Sequence, residues 1–218
     1  PVNKRVNFKM KSMSQEKFPE FYSADNVPYF EVSSKDLKEM ISQTSFAVSE
    51  DQTRYFMDGV FFEKKGDNLN LVATDGRRLS FISKSILAGI SDFPSAIVHP
   101  KILNILLKHA PEEGNLFVAV VDKMIFFKFG NYKFGAVLLD GQFPNYERVI
   151  PENQAHAFQI QKSDLVEALK RVSQMVDKRV GRIYFTVMDG ILKITSQESD
   201  LGSADEEIPC QYAGESCT

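Results

Sequence analysis

The octapeptide Phe30-Glu31-Val32-Ser33-Ser34-Lys35-Asp36-Leu37 returns as Phe158-Gln159-Ile160-Gln161-Lys162-Ser163-Asp164-Leu165, a shift of 128 residues from Phe30 to Phe158. The same shift carries Arg54 onto Arg182. A repeat at this range implies duplicated domains, each closing a core of its own. A second domain is therefore expected to begin near His156.

A shorter repetition lies inside the first copy. A strand at Tyr29–Val32 leads to Ser33-Ser34, either of which can cap the helix that places Leu37, Met40, Ile41 and Thr44 on one face. Strands are expected at Tyr55–Glu63, Leu69–Ala73 and Arg78–Lys84, punctuated by Lys65-Gly66-Asp67-Asn68 and Asp75-Gly76. The order then recurs with a strand at Ala96–His99, a helix opened by Pro100 and running to about His109, and strands near Leu116–Val121, Met124–Phe129 and Tyr132–Leu138. Residues 29–139 thus spell β-α-β-β-β twice. The second copy supplies a strand, a helix from Ser163 to about Val176, strands Ile183–Met188 and Ile191–Thr195 around Asp189-Gly190, and a last strand near Asp205–Tyr212. Ahead of both lies the alternating piece Val6-Asn7-Phe8-Lys9-Met10, a lone strand that cannot bury its face unaided.

Bulk properties narrow the function. With 43% hydrophobic and 25% charged residues, the 218-residue chain has the composition of globular material with a sizeable core. It contains no run of roughly 18 apolar residues, and Pro1-Val2-Asn3-Lys4-Arg5 lacks the features of a signal peptide, so a cytoplasmic location without a membrane partner is expected. Cys210 and Cys217 build neither a disulfide framework nor a four-ligand zinc site and read as free thiols. A net charge of −3 argues weakly against a protein that holds nucleic acid by bulk basicity.

Two stretches carry a family resemblance. Val72-Ala73-Thr74-Asp75-Gly76-Arg77-Arg78-Leu79 and Gly141-Gln142-Phe143-Pro144-Asn145-Tyr146-Glu147-Arg148-Val149-Ile150-Pro151 resemble the signature segments of the bacterial DNA sliding clamps, the β subunits of DNA polymerase III. Their order, their separation and the duplicated units agree with that family over nearly the whole chain. The resemblance implies the DNA-clamp fold, α+β, with two helices packed on antiparallel sheets in each domain. It implies three similar domains per chain and two chains closing head to tail around duplex DNA. In that frame residues 1–26 are the tail of domain one, 27–151 the complete domain two with its linker, and 152–218 the first half of domain three. By itself such a piece is expected to be monomeric.

The resemblance also implies partners and sites. A clamp is a non-catalytic processivity factor without a cofactor, and it recruits the polymerase III α subunit, the clamp loader, other polymerases and repair proteins through short peptides. The peptide pocket carried over by motif comprises Thr74, Gly76, Arg77, Arg78 and Leu79, with Phe56 and Met57, and Pro144, Arg148 and Val149. Apolar side chains there would remove a Leu or Phe anchor from water, while arginine stems add apolar area and their heads meet polar groups. Read from the residues alone, Arg77 and Arg78 also fit a solvated hairpin tip, and Phe56 and Met57 fit a core. Leu69, Leu71 and Ala73 alternate with Asn70 and Val72, and Leu79 and Phe81 return on the next strand. Phe143 and Tyr146 read as braces of the linker.

The DNA-facing candidates are Lys35, Lys38, Arg54, Lys101, Asn104, Lys108, Lys170 and Arg171. On the second helix Lys101, Asn104 and Lys108 lie opposite Leu103, Leu106 and Leu107, and a plain solvated face accounts for any one helix. In a clamp such helices line the central hole, where they meet phosphates loosely and read no bases, so binding is independent of sequence.

Catalysis finds little support. His99, His109 and His156 lack metal-ligand spacing, and no nucleophile elbow, zinc-protease or dinucleotide motif is present. The best nucleus for an enzyme would be Asp75 with Arg77 and Arg78, which turns on whether Asp75 faces a cleft or bonds its own turn. A second non-enzymatic reading is a free-standing peptide-binding adaptor built from the same domain and not encircling DNA.

Overall fold

Ser33 sets the start of the first helix. Its hydroxyl accepts the Asp36 amide at 3.3 Å from an extended backbone, so Ser33 rather than Ser34 is the cap. The computed structural model describes residues 7–17, 26–86, 92–177, 181–198 and 202–218, and they form two compact units, Pro1–Glu147 and Arg148–Thr218.

In the first unit, β1 (Phe30–Ser33), α1 (Ser34–Thr44), β2 (Val60–Lys65), β3 (Asn68–Thr74) and β4 (Leu79–Ser85) are followed by β5 (Ala96–Val98), α2 (Pro100–His109), β6 (Asn115–Val121), β7 (Met124–Phe129) and β8 (Tyr132–Val137). The halves exchange their leading strands. β5 joins the first half's sheet, in order β4-β3-β2-β5, and β1 joins the second half's, in order β1-β6-β7-β8. Every pairing is antiparallel. Tight turns come where the chain tolerates positive φ, as at Gly66 (60°) between β2 and β3. The duplicated β-α-β-β-β pattern on antiparallel sheets is the α+β clamp architecture expected from sequence.

One core joins both sheets and both helices. Leu37, Met40 and Ile41 of α1, Leu103 and Leu106 of α2, Phe62 and Leu71 of the first sheet, and Leu116, Ile125 and Phe127 of the second are all fully buried in it. The α1 face Leu37, Met40, Ile41, Thr44 is the one that the spacing predicts.

The second unit holds α3 (Lys162–Val172) and the sheet β11-β10-β9, built from β9 (Ile183–Met188), β10 (Ile191–Ser196) and β11 (Asp205–Pro209). Ala168, Val172, Val187, Leu192, Ile194, Ile208 and Tyr212 form its core.

The repeat holds to the residue through the helices. α1 and α3 are 11 residues each at an offset of 128, and the 3-10 turns after them, Ser45–Ala47 and Ser173–Met175, keep that offset. From Val60 to Ile183, however, the offset is 123, so the connection into the sheet is five residues shorter in the second unit. Arg54 and Arg182 are therefore not equivalent, which corrects the alignment drawn from sequence.

Three other expectations change. Residues Gln52–Met57 curl into 3-10 turns rather than beginning a strand, because Asp51 accepts the Thr53 amide (3.0 Å) and Arg54 Nε (3.0 Å) through its side chain. The stretch from Phe158 makes only the bridge Gln159–Gln211 instead of a strand. Asn7–Met10 is not a strand, and Phe8 and Met10 are exposed; Val6 lies outside the described residues.

Candidate functional site

The corner between β3 and β4 is built by one carboxylate. Asp75 Oδ1 accepts the amides of Arg77 (2.9 Å) and Arg78 (3.0 Å), and Oδ2 accepts Arg78 Nε (3.2 Å). Thr74 Oγ1 closes the loop by donating to the Arg78 carbonyl (2.7 Å) and accepting the Gly76 amide (3.1 Å). Gly76 has φ +85°, and a Cβ there would lie 3.0 Å from Arg54 Nη1. The two amides, then the Arg78 guanidinium, hold the Asp75 carboxyl below its usual range. Asp75 thus bonds its own turn, and among the described residues no group of three or more His, Cys, Asp or Glu side chains is arranged to hold a metal.

The arginines leave this corner differently. Arg78 reaches back to the Phe46 carbonyl (Nη2, 2.8 Å), and its guanidinium carbon lies 5.5 Å from the Phe46 ring centre, while Arg77 is exposed. Leu79 follows on the sheet face turned away from the main core. Residues directly opposite in register share a face, and Val72 pairs with both Phe61 and Phe81, as Thr74 does with Leu79.

That outer face is roofed by the segment after β8, which explains why Asn70 and Val72 are as buried as Leu69, Leu71 and Ala73. Val72, Ile97, Phe143 and Tyr146 form a second cluster, with Phe56, Phe61, Leu79 and Leu139 half-buried around it. Phe143 stacks on Phe61 at 4.7 Å, and Tyr146 stacks on Phe81 at 5.7 Å. The bracing expected of Phe143 and Tyr146 is what these contacts provide.

Of the expected pocket residues in the first unit, Gly76, Arg77, Arg78 and Pro144 are exposed and Phe56 and Leu79 are half-buried at the rim of this cluster. Met57 and Thr74 are buried, 5% and 8% exposed. Arg148 and Val149 end the 3-10 turn Tyr146–Val149 and belong to the second unit, where Val149 is 66% exposed.

A polar layer under the roof is not announced by any motif. Tyr146 Oη donates to Glu63 Oε2 at 2.6 Å, the Asn70 amide nitrogen lies 3.4 Å from the same oxygen, and Asn70 Oδ1 is buried without a partner among the described residues. Burial, then the Glu63 carboxylate, raises the Tyr146 phenol well above its usual range. The hairpin at Gly66 already places Glu63 opposite Asn70; the arrival of Tyr146 from 83 residues away is what a sequence does not disclose.

The DNA-facing candidates divide in two. Lys35, Lys101, Asn104 and Lys108 are exposed on the neighbouring helices α1 and α2, and Lys170 is exposed on α3. Lys38, Arg54 and Arg171 are engaged. Lys38 Nζ pairs with Glu112 and the Ala110 carbonyl, Arg54 with Asp51, and Arg171 with both carboxylate oxygens of Glu206 (2.9 and 2.6 Å) and with Glu167. His99 has a local task, its Nδ1 accepting the Lys101 amide (3.1 Å) as N-cap of α2.

Comparison with known proteins agrees with this architecture. The family profile "DNA polymerase III beta subunit, central domain" matches residues 31–145, and that of the C-terminal domain matches residues 147–218. The beta sliding clamp of Treponema pallidum is 41% identical over 220 residues, covering 99% of this chain and 59% of that protein. The Pseudomonas aeruginosa clamp is 28% identical, covering 96% and 58%. Among solved structures, the Bartonella birtlesii clamp bound to griselimycin superposes with a TM-score of 0.85 at 31% identity, over 93% of this chain and 56% of that one. The P. aeruginosa β subunit gives 0.88 at 27% identity, over 97% and 59%. The chain thus spans under two thirds of the length of these relatives. With the central-domain profile matched over more than half its length, the chain belongs to the DNA polymerase III β subunit family, the bacterial sliding clamps.

Proposed function

We propose that this chain serves as the central part of a replication processivity factor, a non-catalytic cytoplasmic ring subunit that encircles duplex DNA without reading its sequence. It recruits the polymerase III α subunit, the clamp loader, other polymerases and repair proteins through short peptides. The observation that carries the docking role is the corner Thr74–Leu79, a loop braced by Asp75 that carries Arg77 and Arg78 directly ahead of Leu79, which with Phe56 is half-buried around an apolar cluster. One apolar anchor seated there is worth roughly 1.5–3 kcal/mol, enough for exchange among partners and too little for permanent capture. Exposed lysines on α1 and α2 support loose contact with phosphates. Retention on DNA then comes from closure of the ring, which is compatible with a net charge of −3.

The test is topological. Full-length protein loaded by its clamp loader onto nicked circular DNA should stay bound in high salt and leave when the circle is cut. Equal retention on circular and linear DNA, or none on either, would refute encirclement. Docking is read separately, from the anisotropy of a fluorescein-labelled peptide ending in Leu-Phe, which Leu79→Ala should weaken.

A further inference from the structure

We propose that Phe46 is a positioning residue for peptide docking, its ring and carbonyl holding the Arg78 guanidinium ready for an acceptor oxygen of the docked peptide. This role rests on the docking reading above and lies wholly within the first unit. The 3-10 turn Ser45–Ala47 that carries Phe46 is held by the core. Thr44 and Ala47, which bracket Ser45-Phe46, are fully buried, Thr44 Oγ1 donates to the Met40 carbonyl (2.8 Å), and the turn packs on β3. The Phe46 ring itself is 57% exposed, so it adds little to that core. Its counterpart at the 128-residue offset is Gln174, in the matching 3-10 turn Ser173–Met175. The repeated fold therefore does not require an aromatic ring at this place.

Three contacts converge on Arg78. Nε donates to Asp75 Oδ2 (3.2 Å), Nη2 donates to the Phe46 carbonyl (2.8 Å), and the guanidinium carbon stands 5.5 Å from the Phe46 ring centre. α1 has no basic residue in its last turn, so the carbonyl end of the helix and its 3-10 extension receives a cation from the β3–β4 corner instead. Ser80, two residues on, adds a second tie by donating to the Gln43 carbonyl. The direction of the guanidinium is thus set at Nε, at Nη2 and across its plane. Its side chain is still 57% exposed, and further N–H donors remain on Nη1 and Nη2, so it can meet an acceptor without giving up these contacts. An unsupported arginine loses rotamer freedom on binding, whereas one already held has less to lose.

The experiment uses the full-length protein, the same Leu-Phe peptide and thermal unfolding in parallel. Phe46→Leu keeps the carbonyl and much of the apolar bulk but removes the ring face, so peptide affinity should fall roughly 2- to 5-fold with little change in melting temperature. Phe46→Tyr, which restores a ring face, should stay near wild type. In an Arg78→Ala background, Phe46→Leu should cause no further loss. Phe46→Ala, a second ringless variant, should repeat the result and decides alone should Phe46→Leu fail to fold. Unchanged affinity in the ringless variants, or a loss that only tracks lowered melting temperature, overturns the positioning role. So does an equal loss with and without Arg78, which would mean that the ring meets the peptide itself. Absence of peptide binding by the wild-type protein removes the docking reading, and this role with it.

Discussion

Asp75 holds Arg78 twice, through the backbone amide at 3.0 Å and through Nε at 3.2 Å. The carboxylate therefore fixes both where the main chain turns and where the guanidinium departs. Asp75→Ala should lower the melting temperature and speed hydrogen exchange at the Arg77 and Arg78 amides on the order of tenfold, with Asp75→Asn, which still offers one acceptor, in between. The sign with pH follows from the depressed carboxyl. Its stabilising effect is present above the ordinary value of 3.8 and disappears as pH falls below it. Asp36, held down by Lys84, and Glu206, held down by Arg171, act in the same direction. Stability should stay level from neutrality to about pH 5 and fall steeply below about 4, and Asp75→Asn should make that fall shallower in acid titrations followed by circular dichroism.

Tyr146 gives the opposite limb. Its phenol is raised above 10.0 by burial and by Glu63, so the protonated form is the one that the fold favours. The corresponding stabilisation is complete below 10.0 and declines as pH rises beyond it. Lys84, raised by Asp36 and Glu39, adds to the decline above 10.5. Alkaline unfolding should therefore begin near pH 10, and Tyr146→Phe should blunt its first part while Lys84 remains. An alkaline limb identical in wild type and Tyr146→Phe would show that the phenol does not titrate with unfolding.

Gly141 separates backbone strain from site geometry. Its φ is +121°, and a Cβ would fall 2.9 Å from Phe56 Cβ. Gly141→Ala should cost about 1–3 kcal/mol and push Phe56 out of the rim, weakening the peptide as well. Gly66 is the control, because φ is +60° but a Cβ meets nothing within 4 Å. Gly66→Ala should cost about 1 kcal/mol of strain and leave peptide affinity unchanged. Urea unfolding and peptide anisotropy on the same samples decide between them.

What the sequence disclosed follows the range of the forces involved. α1 was legible because a cap and an apolar stripe act within four residues, and Leu37, Met40, Ile41 and Thr44 are all buried as their spacing requires, whereas α3, which has no side-chain cap, was legible from its spacing alone. The curl at Gln52–Met57 was not, because Tyr55, Phe56 and Met57 carry strand-like composition while Asp51 wins locally with three side-chain bonds. β3 reads as alternating yet is buried on both faces, since Phe143 and Tyr146 return to cover Asn70 and Val72. The corner at Asp75 was visible as a turn. Phe46, which Arg78 reaches from that corner, and Tyr146, which meets Glu63 farther along the sheet, are brought in only by the tertiary fold.

The lysines on the helices offer a graded test of DNA contact. Lys35, Lys101 and Lys108 are exposed and form no ion pair among the described residues, whereas Lys38 is matched by Glu112 and the Ala110 carbonyl, and Arg171 by Glu206 and Glu167. A free lysine that meets a phosphate releases counterions, and each contact adds roughly 0.9 to the slope of log affinity against log salt. A cation already paired must first give up its carboxylate, so its net contribution is smaller. In the full-length protein on linear duplex DNA, Lys101→Ala/Lys108→Ala should lower the slope by nearly two, and Lys35→Ala by about one. Lys38→Ala and Arg171→Ala should change it by less than half as much. The fall should be the same on sequences of different composition, because no base edge is read. Equal slopes for free and paired cations would mean that the pairs open on DNA, and an unchanged slope in the Lys101/Lys108 double variant would remove α2 from the DNA-facing surface.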